Sequence, residues 1–222
     1  DGSTNGNGVS LSIKTSNGWE IPTDVIIEDF VNTNEFVGFY LASDNKHLLQ
    51  SVERPEGYGV KDLYVSFLKE DNTWTKAKNL GNVINTFDEE ANPFLAADGK
   101  TLYFASRGHN GYGGFDLFVS KRLDDTWTNW TTPQNLGKVI NTPGTELSIF
   151  LAAKGDKAFI SRDKDIWEIA NTVKQDPVVL VKGKIYDAKT KTTLSAPVIY
   201  NDLKTNKELG TAISDPKTGN YK

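Results

Sequence analysis

The chain has no cysteine, no methionine and only two histidines among its 222 residues. Without cysteine there can be no disulfide, thiol nucleophile or thiolate metal site. The absence of methionine extends to position 1, so the sequence is expected to be a processed or internal part of a longer chain. His47 and His109 stand alone, with no second histidine or cysteine nearby to share a metal. No apolar run approaches the ~20 residues that a membrane-spanning helix needs. The net charge of −4 gives no basic footprint for nucleic acid. A nucleophile elbow, a phosphate-binding loop and a calcium-loop spacing are all missing. No catalytic residue, cofactor or metal is expected.

What the sequence does have is repetition. Asn-Leu-Gly-x-Val-Ile-Asn-Thr occurs at residues 79–86 and again 56 residues later at 135–142. Leu41-Ala42-Ser43-Asp44, Leu95-Ala96-Ala97-Asp98 and Leu151-Ala152-Ala153-Lys154 recur at steps of 54 and 56. Tyr58-Gly59-Val60-Lys61-Asp62-Leu63-Tyr64 matches Tyr112-Gly113-Gly114-Phe115-Asp116-Leu117-Phe118, and a degenerate copy starts at Asp165-Ile166-Trp167. Tryptophans recur at Trp19, Trp74 and Trp127. A period in this range marks a propeller or solenoid, whose units bury a core only by stacking.

Within one unit every local signal reads as strand. Phe94-Leu95-Ala96 is a short apolar run, Asp98-Gly99 is a hairpin turn pair, and Thr101-Leu102-Tyr103-Phe104-Ala105 is rich in β-formers. A glycine-rich loop, 108–114, leads to Asp116-Leu117-Phe118-Val119-Ser120, and a fourth segment follows around 127–136. Four antiparallel strands per unit make the blade of a β-propeller. The expected organisation is all-β: a flexible tail at 1–8, propeller repeats at 9–170 forming an incomplete ring, and a linker at 171–177. A second module at 178–222 has the strand spacing of a β-sandwich, cut short.

In such a blade the loop into the first strand and the loop between the second and third open on one face. That puts 86–91 beside 107–114, with tight turns on the opposite side. Long glycine-rich loops point to the first face as the interaction face. Its candidate partner-binding residues are Arg54, Tyr58, Glu89, Glu90, Arg107, His109, Asn110, Tyr112 and Arg162. Arg54, Arg107 and Arg162 each end a second strand, Asp62, Asp116 and Asp165 precede the third, and Glu90 aligns with Glu146. These repeated charges either pair internally and cap loops or form a charged ring that reads a ligand. Glu89 and Glu90 are a possible carboxylate pair for glycoside hydrolysis, but neighbours in a strand point opposite ways. Trp130 is expected to be exposed, a handle for a glycan.

The strings at 95–107 and 111–120 resemble the TolB-type, WD-like propeller repeat. The Gly-Gly-x-Asp and Asn-Leu-Gly-x-x-Ile-Asn-Thr variant is similar to that of large periplasmic OmpA-family proteins, some belonging to type IX secretion and gliding machinery. Val181-Lys182-Gly183-Lys184-Ile185-Tyr186-Asp187, with Thr218-Gly219-Asn220-Tyr221, resembles the opening of the carboxypeptidase-regulatory-like domain that follows the propeller in that family. The resemblance implies a non-catalytic periplasmic scaffold, associated with the outer membrane, that binds envelope proteins such as outer-membrane or secretion-complex subunits. Peptidoglycan would be held only through an OmpA-type domain that is not in this sequence. The alternatives are an accessory propeller of a peptidase or other hydrolase, and a glycan-binding propeller.

Overall fold

The computed structural model describes residues 8–152, 156–170, 181–201, 203–206 and 208–221. Most of the expected tail and the whole linker at 171–177 lie outside the described residues. Those described are all-β, with no helix among them. The chain divides into two compact units, 1–176 and 177–222.

The first unit opens with two small ribbons. Strand β1 (Ser10–Leu11) pairs with β4 (Thr23–Asp24), and β2 (Lys14–Thr15) with β3 (Gly18–Trp19). Three antiparallel meanders follow. The first is β5 (Gly38–Leu41), β6 (His47–Val52), β7 (Asp62–Phe67) and β8 (Lys78–Asn79), hydrogen-bonded in that order. The second is β9 (Glu90–Leu95), β10 (Thr101–Ser106), β11 (Asp116–Lys121) and β12 (Gln134–Asn135). The third has three strands, β13 (Glu146–Leu151), β14 (Lys157–Arg162) and β15 (Asp165–Ala170).

The strand period of two sorts the core. In the second sheet, Leu95, Leu102, Phe104 and Phe118 join Leu49, Leu63 and Val65 of the first sheet in one buried cluster. Alternate residues Tyr103, Ala105, Leu117 and Val119 join Ile149, Ala158 and Ile160 of the third. The middle sheet is therefore apolar on both faces, and all six residues of β10 are buried. An aromatic file links successive first strands, with Tyr40 and Phe94 at 5.1 Å and Phe94 and Phe150 at 5.6 Å between ring centres. Among the described residues the row of sheets does not close into a ring.

The tight turns are built as their residues require. Gly99 takes φ +66°, Asn45 occupies the same place in the first sheet at φ +58°, and Asp98 Oδ1 accepts the Lys100 and Thr101 amides. These are positions where a left-handed backbone favours glycine or asparagine.

The second unit contains two two-stranded sheets, β16 (Gly183–Lys184) with β19 (Asn220–Tyr221), and β17 (Pro197–Asn201) with β18 (Glu208–Ile213). Two Asp-x-x-Thr turns repeat one design. Asp187 Oδ1 accepts the amides of Lys189 and Thr190, and Asp215 Oδ1 those of Lys217 and Thr218. These bonds hold both carboxyls below the usual carboxylate range.

Candidate functional site

The crossover from the first sheet to the second, residues 86–89, lies between two loops that precede third strands. The Glu90 amide donates to Lys61 O at 2.7 Å, and the Arg107 amide donates to Glu89 O at 3.0 Å. Gly59 is pressed so closely onto the crossover that a Cβ there would collide with the Thr86 and Asp88 carbonyl oxygens. Gly113 is pressed in the same way onto the Thr142 and Gly144 carbonyls of the next crossover. The expected juxtaposition of 86–91 with 107–114 is thus present.

Most of the repeated polar residues on this side are committed to the fold. Asn85 Oδ1 accepts the Leu63 amide at 2.8 Å while its Nδ2 donates to Leu63 O at 3.0 Å and to Asn79 Oδ1 at 2.8 Å. Asn79 Oδ1 also accepts the Gly81 amide, and Gly81 takes φ +89°. Asn141, Leu117, Asn135 and Gly137 repeat these bonds. The repeated octapeptide is therefore a brace: its last asparagine completes the edge of β7 or β11 where a neighbouring strand would.

The buried acids complete the same brace. Glu90 Oε2 accepts the Thr86 amide at 2.8 Å, and Oε1 accepts the hydroxyls of Thr86 and Ser106, each at 2.7 Å. Burial outweighs these donors and pushes the Glu90 carboxyl up to about 7. Glu146 holds Thr142 in the same way. Asp62 receives the Tyr58 and Gly59 amides and Asn79 Nδ2, and burial still raises it above the ordinary range. Asp116 receives Tyr112 and Gly113. Asp165, by contrast, accepts the adjacent Ile166 amide.

Several expected site residues prove to be buried or out of register. Glu90 is wholly buried and Arg54 nearly so, so neither side chain offers itself to a partner. Arg54 Nε meets Glu56 at 2.7 Å and its Nη1 donates to Asp29 O at 3.1 Å. The three arginines are not equivalent positions. Val52, Ser106 and Arg162 face Asp62, Asp116 and Asp165 across their ladders, which puts Arg54 two residues and Arg107 one residue beyond the place of Arg162. Arg162 lies over Trp167 at 4.2 Å and Arg107 over Phe115 at 5.5 Å. His109 is not a loop-tip contact. Its ring is half-buried against Phe104 and Phe118, its Nε2 lies 2.9 Å from Ile84 O, and burial lowers its pKa.

Trp130 is buried at 4% exposure, with Nε1 donating to Trp127 O at 2.9 Å. It packs because it is the counterpart of Trp74. Both bridge back to the residue after the third strand, Leu68 in one sheet and Arg122 in the other. Trp127 is the extra aromatic, at φ +65° beneath Arg122. The glycan handle expected at Trp130 is therefore not on the surface.

What remains exposed on the loop side is Tyr58, Arg107, Asn110 and Tyr112, with Glu89 half-buried. Sequence reasoning missed Phe87, 78% exposed at the tip of the crossover. The signal was available, since Phe87 is a large apolar residue at a loop centre between the threonine that caps Glu90 and Asp88. Among the described residues no three His, Asp or Glu side chains are grouped to hold a metal ion. Compared with models of known families, with curated proteins and with solved structures, the chain matches none.

Proposed function

We propose that residues 9–170 are blades of a TolB-type β-propeller and that the chain is a non-catalytic scaffold of the bacterial cell envelope. In this reading the loop side binds another envelope protein through Tyr58, Phe87, Arg107, Asn110 and Tyr112, flanked by Glu89 and Arg162. The second unit is the start of a carboxypeptidase-regulatory-like sandwich, and a periplasmic, outer-membrane-associated setting follows from the same resemblance. The observation that carries the reading is the contrast within one face. The repeated acids and asparagines are consumed by internal bonds, while aromatic tips stand exposed on backbone that those bonds hold rigid. Rigid loops presenting aromatic and arginine side chains lose little entropy on binding and are typical of interaction surfaces.

The test is retention of envelope proteins on the immobilised chain, compared with the Phe87→Ala/Tyr112→Ala double variant and with Arg107→Ala. A protein held by the wild type and lost by variants of unchanged melting temperature supports the reading. Equal retention by all three, or turnover of a peptide or glycan substrate by the chain, overturns it.

A further inference from the structure

The strand edge beside Trp74 is occupied by the chain itself. Trp74 N–H donates to Ile26 O at 2.8 Å and Glu28 N–H donates to Trp74 O at 2.9 Å, a parallel pairing centred on Ile27. The inward side of the same segment is held by Lys69 N–H to Thr73 O and Thr75 N–H to Phe67 O. The added strand is also matched in charge. Its Asp29 lies 2.5 Å from Lys76 Nζ, and its Glu28 is 4.0 Å from Lys69.

The corresponding edge of the second sheet has the same inward bonds and no such strand. Leu123 N–H donates to Asn129 O and Thr131 N–H to Lys121 O, both at 2.9 Å. That leaves the N–H and C=O of Trp130 directed away from the sheet, and neither has a backbone partner among the described residues. Unpaired edges of this kind accept an extended chain. The charge match is different here. Leu123, 57% exposed, stands where Lys69 stands, and exposed Thr132 replaces Lys76. Asp124 and Asp125 in the adjoining turn are both exposed, and Arg122 is already taken by Asp125 at 2.7 Å.

We infer that the Trp130 edge is a docking strand for an extended, uncharged segment of a partner protein, pairing in parallel and laying an apolar side chain over Leu123. The same segment from a second copy of this chain is a poor occupant. It would bring Glu28 and Asp29 against Leu123 and Thr132, next to two aspartates. The surface is distinct from the loop side and stands whether or not that side binds a protein.

The experiment uses the full chain and two synthetic peptides. One is residues 23–31 of this sequence, and the other is the same peptide with Asp24→Asn, Glu28→Gln and Asp29→Asn. Binding is followed by the amide resonances of Trp130 and Trp74 in a ¹⁵N-labelled sample. The uncharged peptide should shift the Trp130 amide and bind about tenfold more tightly than the acidic one, a difference of about 1.4 kcal/mol. The double variant Leu123→Lys/Thr132→Lys, at two exposed positions, should reverse that preference. The inference is overturned if the uncharged peptide leaves the Trp130 amide unmoved. It also fails if the peptide moves only Trp74 by displacing the native strand, or if the lysine pair leaves the preference unchanged.

Discussion

Asn85 holds Leu63 as an adjacent strand would, with Leu63 N–H donating to Oδ1 at 2.8 Å and Nδ2 donating to Leu63 O at 3.0 Å. Both residues are buried, so no water replaces the asparagine if it is lost. Asn85→Ala should orphan the amide of Leu63, whose carbonyl keeps the Leu80 N–H at 3.1 Å, and cost about 2 kcal/mol of unfolding free energy. Asn141→Ala should cost a similar amount through Leu117. Urea denaturation measures both. A loss below about 1 kcal/mol would mean that the brace is replaceable.

Gly59 and Gly113 are required by close approach, since backbone oxygens of the crossovers fill the space a Cβ would take. A backbone atom cannot swing aside as a side chain can. Gly59→Ala and Gly113→Ala should each lower stability by more than about 2 kcal/mol. Gly99 has open space but φ +66°, so Gly99→Ala should cost only about 1 kcal/mol. Melting temperatures of the three variants test the ranking.

These residues show what could be read from sequence. The strands, the Asp-Gly turn and the pairing of Glu90 with Glu146 were legible because strand period, turn dipeptides and repeat spacing all agree. Two registers were not. Trp74 and Trp130 each stand five residues before the first asparagine of the octapeptide, but two extra residues in the 123–129 turn leave Trp127 nearer the 54-residue step of the preceding strands. The arginines looked like one row because each lies near a strand end. Only the ladders show that they occupy three different positions. Burial of Glu90 was hidden for another reason: an acid at a loop mouth reads as exposed unless its three donors are already placed.

Glu90 gives the fold a pH dependence of known sign. Its carboxyl is raised from 4.5 to about 7 by burial, so between those values the native state holds a proton that the unfolded chain has released. The stability it contributes is fully present below about pH 4.5 and is lost as pH rises through about 7, a span of about 3 kcal/mol. His109 runs the other way. Its pKa is lowered by burial, so the unfolded chain binds more protons just below pH 6.5 and stability rises with pH there. Glu90→Gln should flatten the decline between pH 5 and 7, and His109→Gln should steepen it. Denaturation midpoints across that range, for wild type and both variants, decide the matter. A Glu90→Gln profile parallel to wild type would refute the assignment.

Arg54 and Arg107 should separate structural from exposed roles on the same side of the molecule. Arg54 is buried, bonded to Glu56 and to the Asp29 carbonyl, and lies 5.8 Å from the Tyr64 ring centre. Its removal leaves a cavity and an unsatisfied carbonyl, while Glu56 and Asp29 are exposed enough to be solvated by water. Arg54→Ala should therefore cost about 2 kcal/mol, less than the 3–5 kcal/mol of breaking a fully buried ion pair. Arg107 is exposed and rests its guanidinium over Phe115 at 5.5 Å, a surface contact worth about 0.5–1 kcal/mol. Arg107→Ala should leave the unfolding midpoint within about 1 kcal/mol of wild type, and the test is chemical denaturation of both variants side by side. If Arg107→Ala proves the more damaging, the loop side is organised by that arginine, and its exposed guanidinium is not there for a partner.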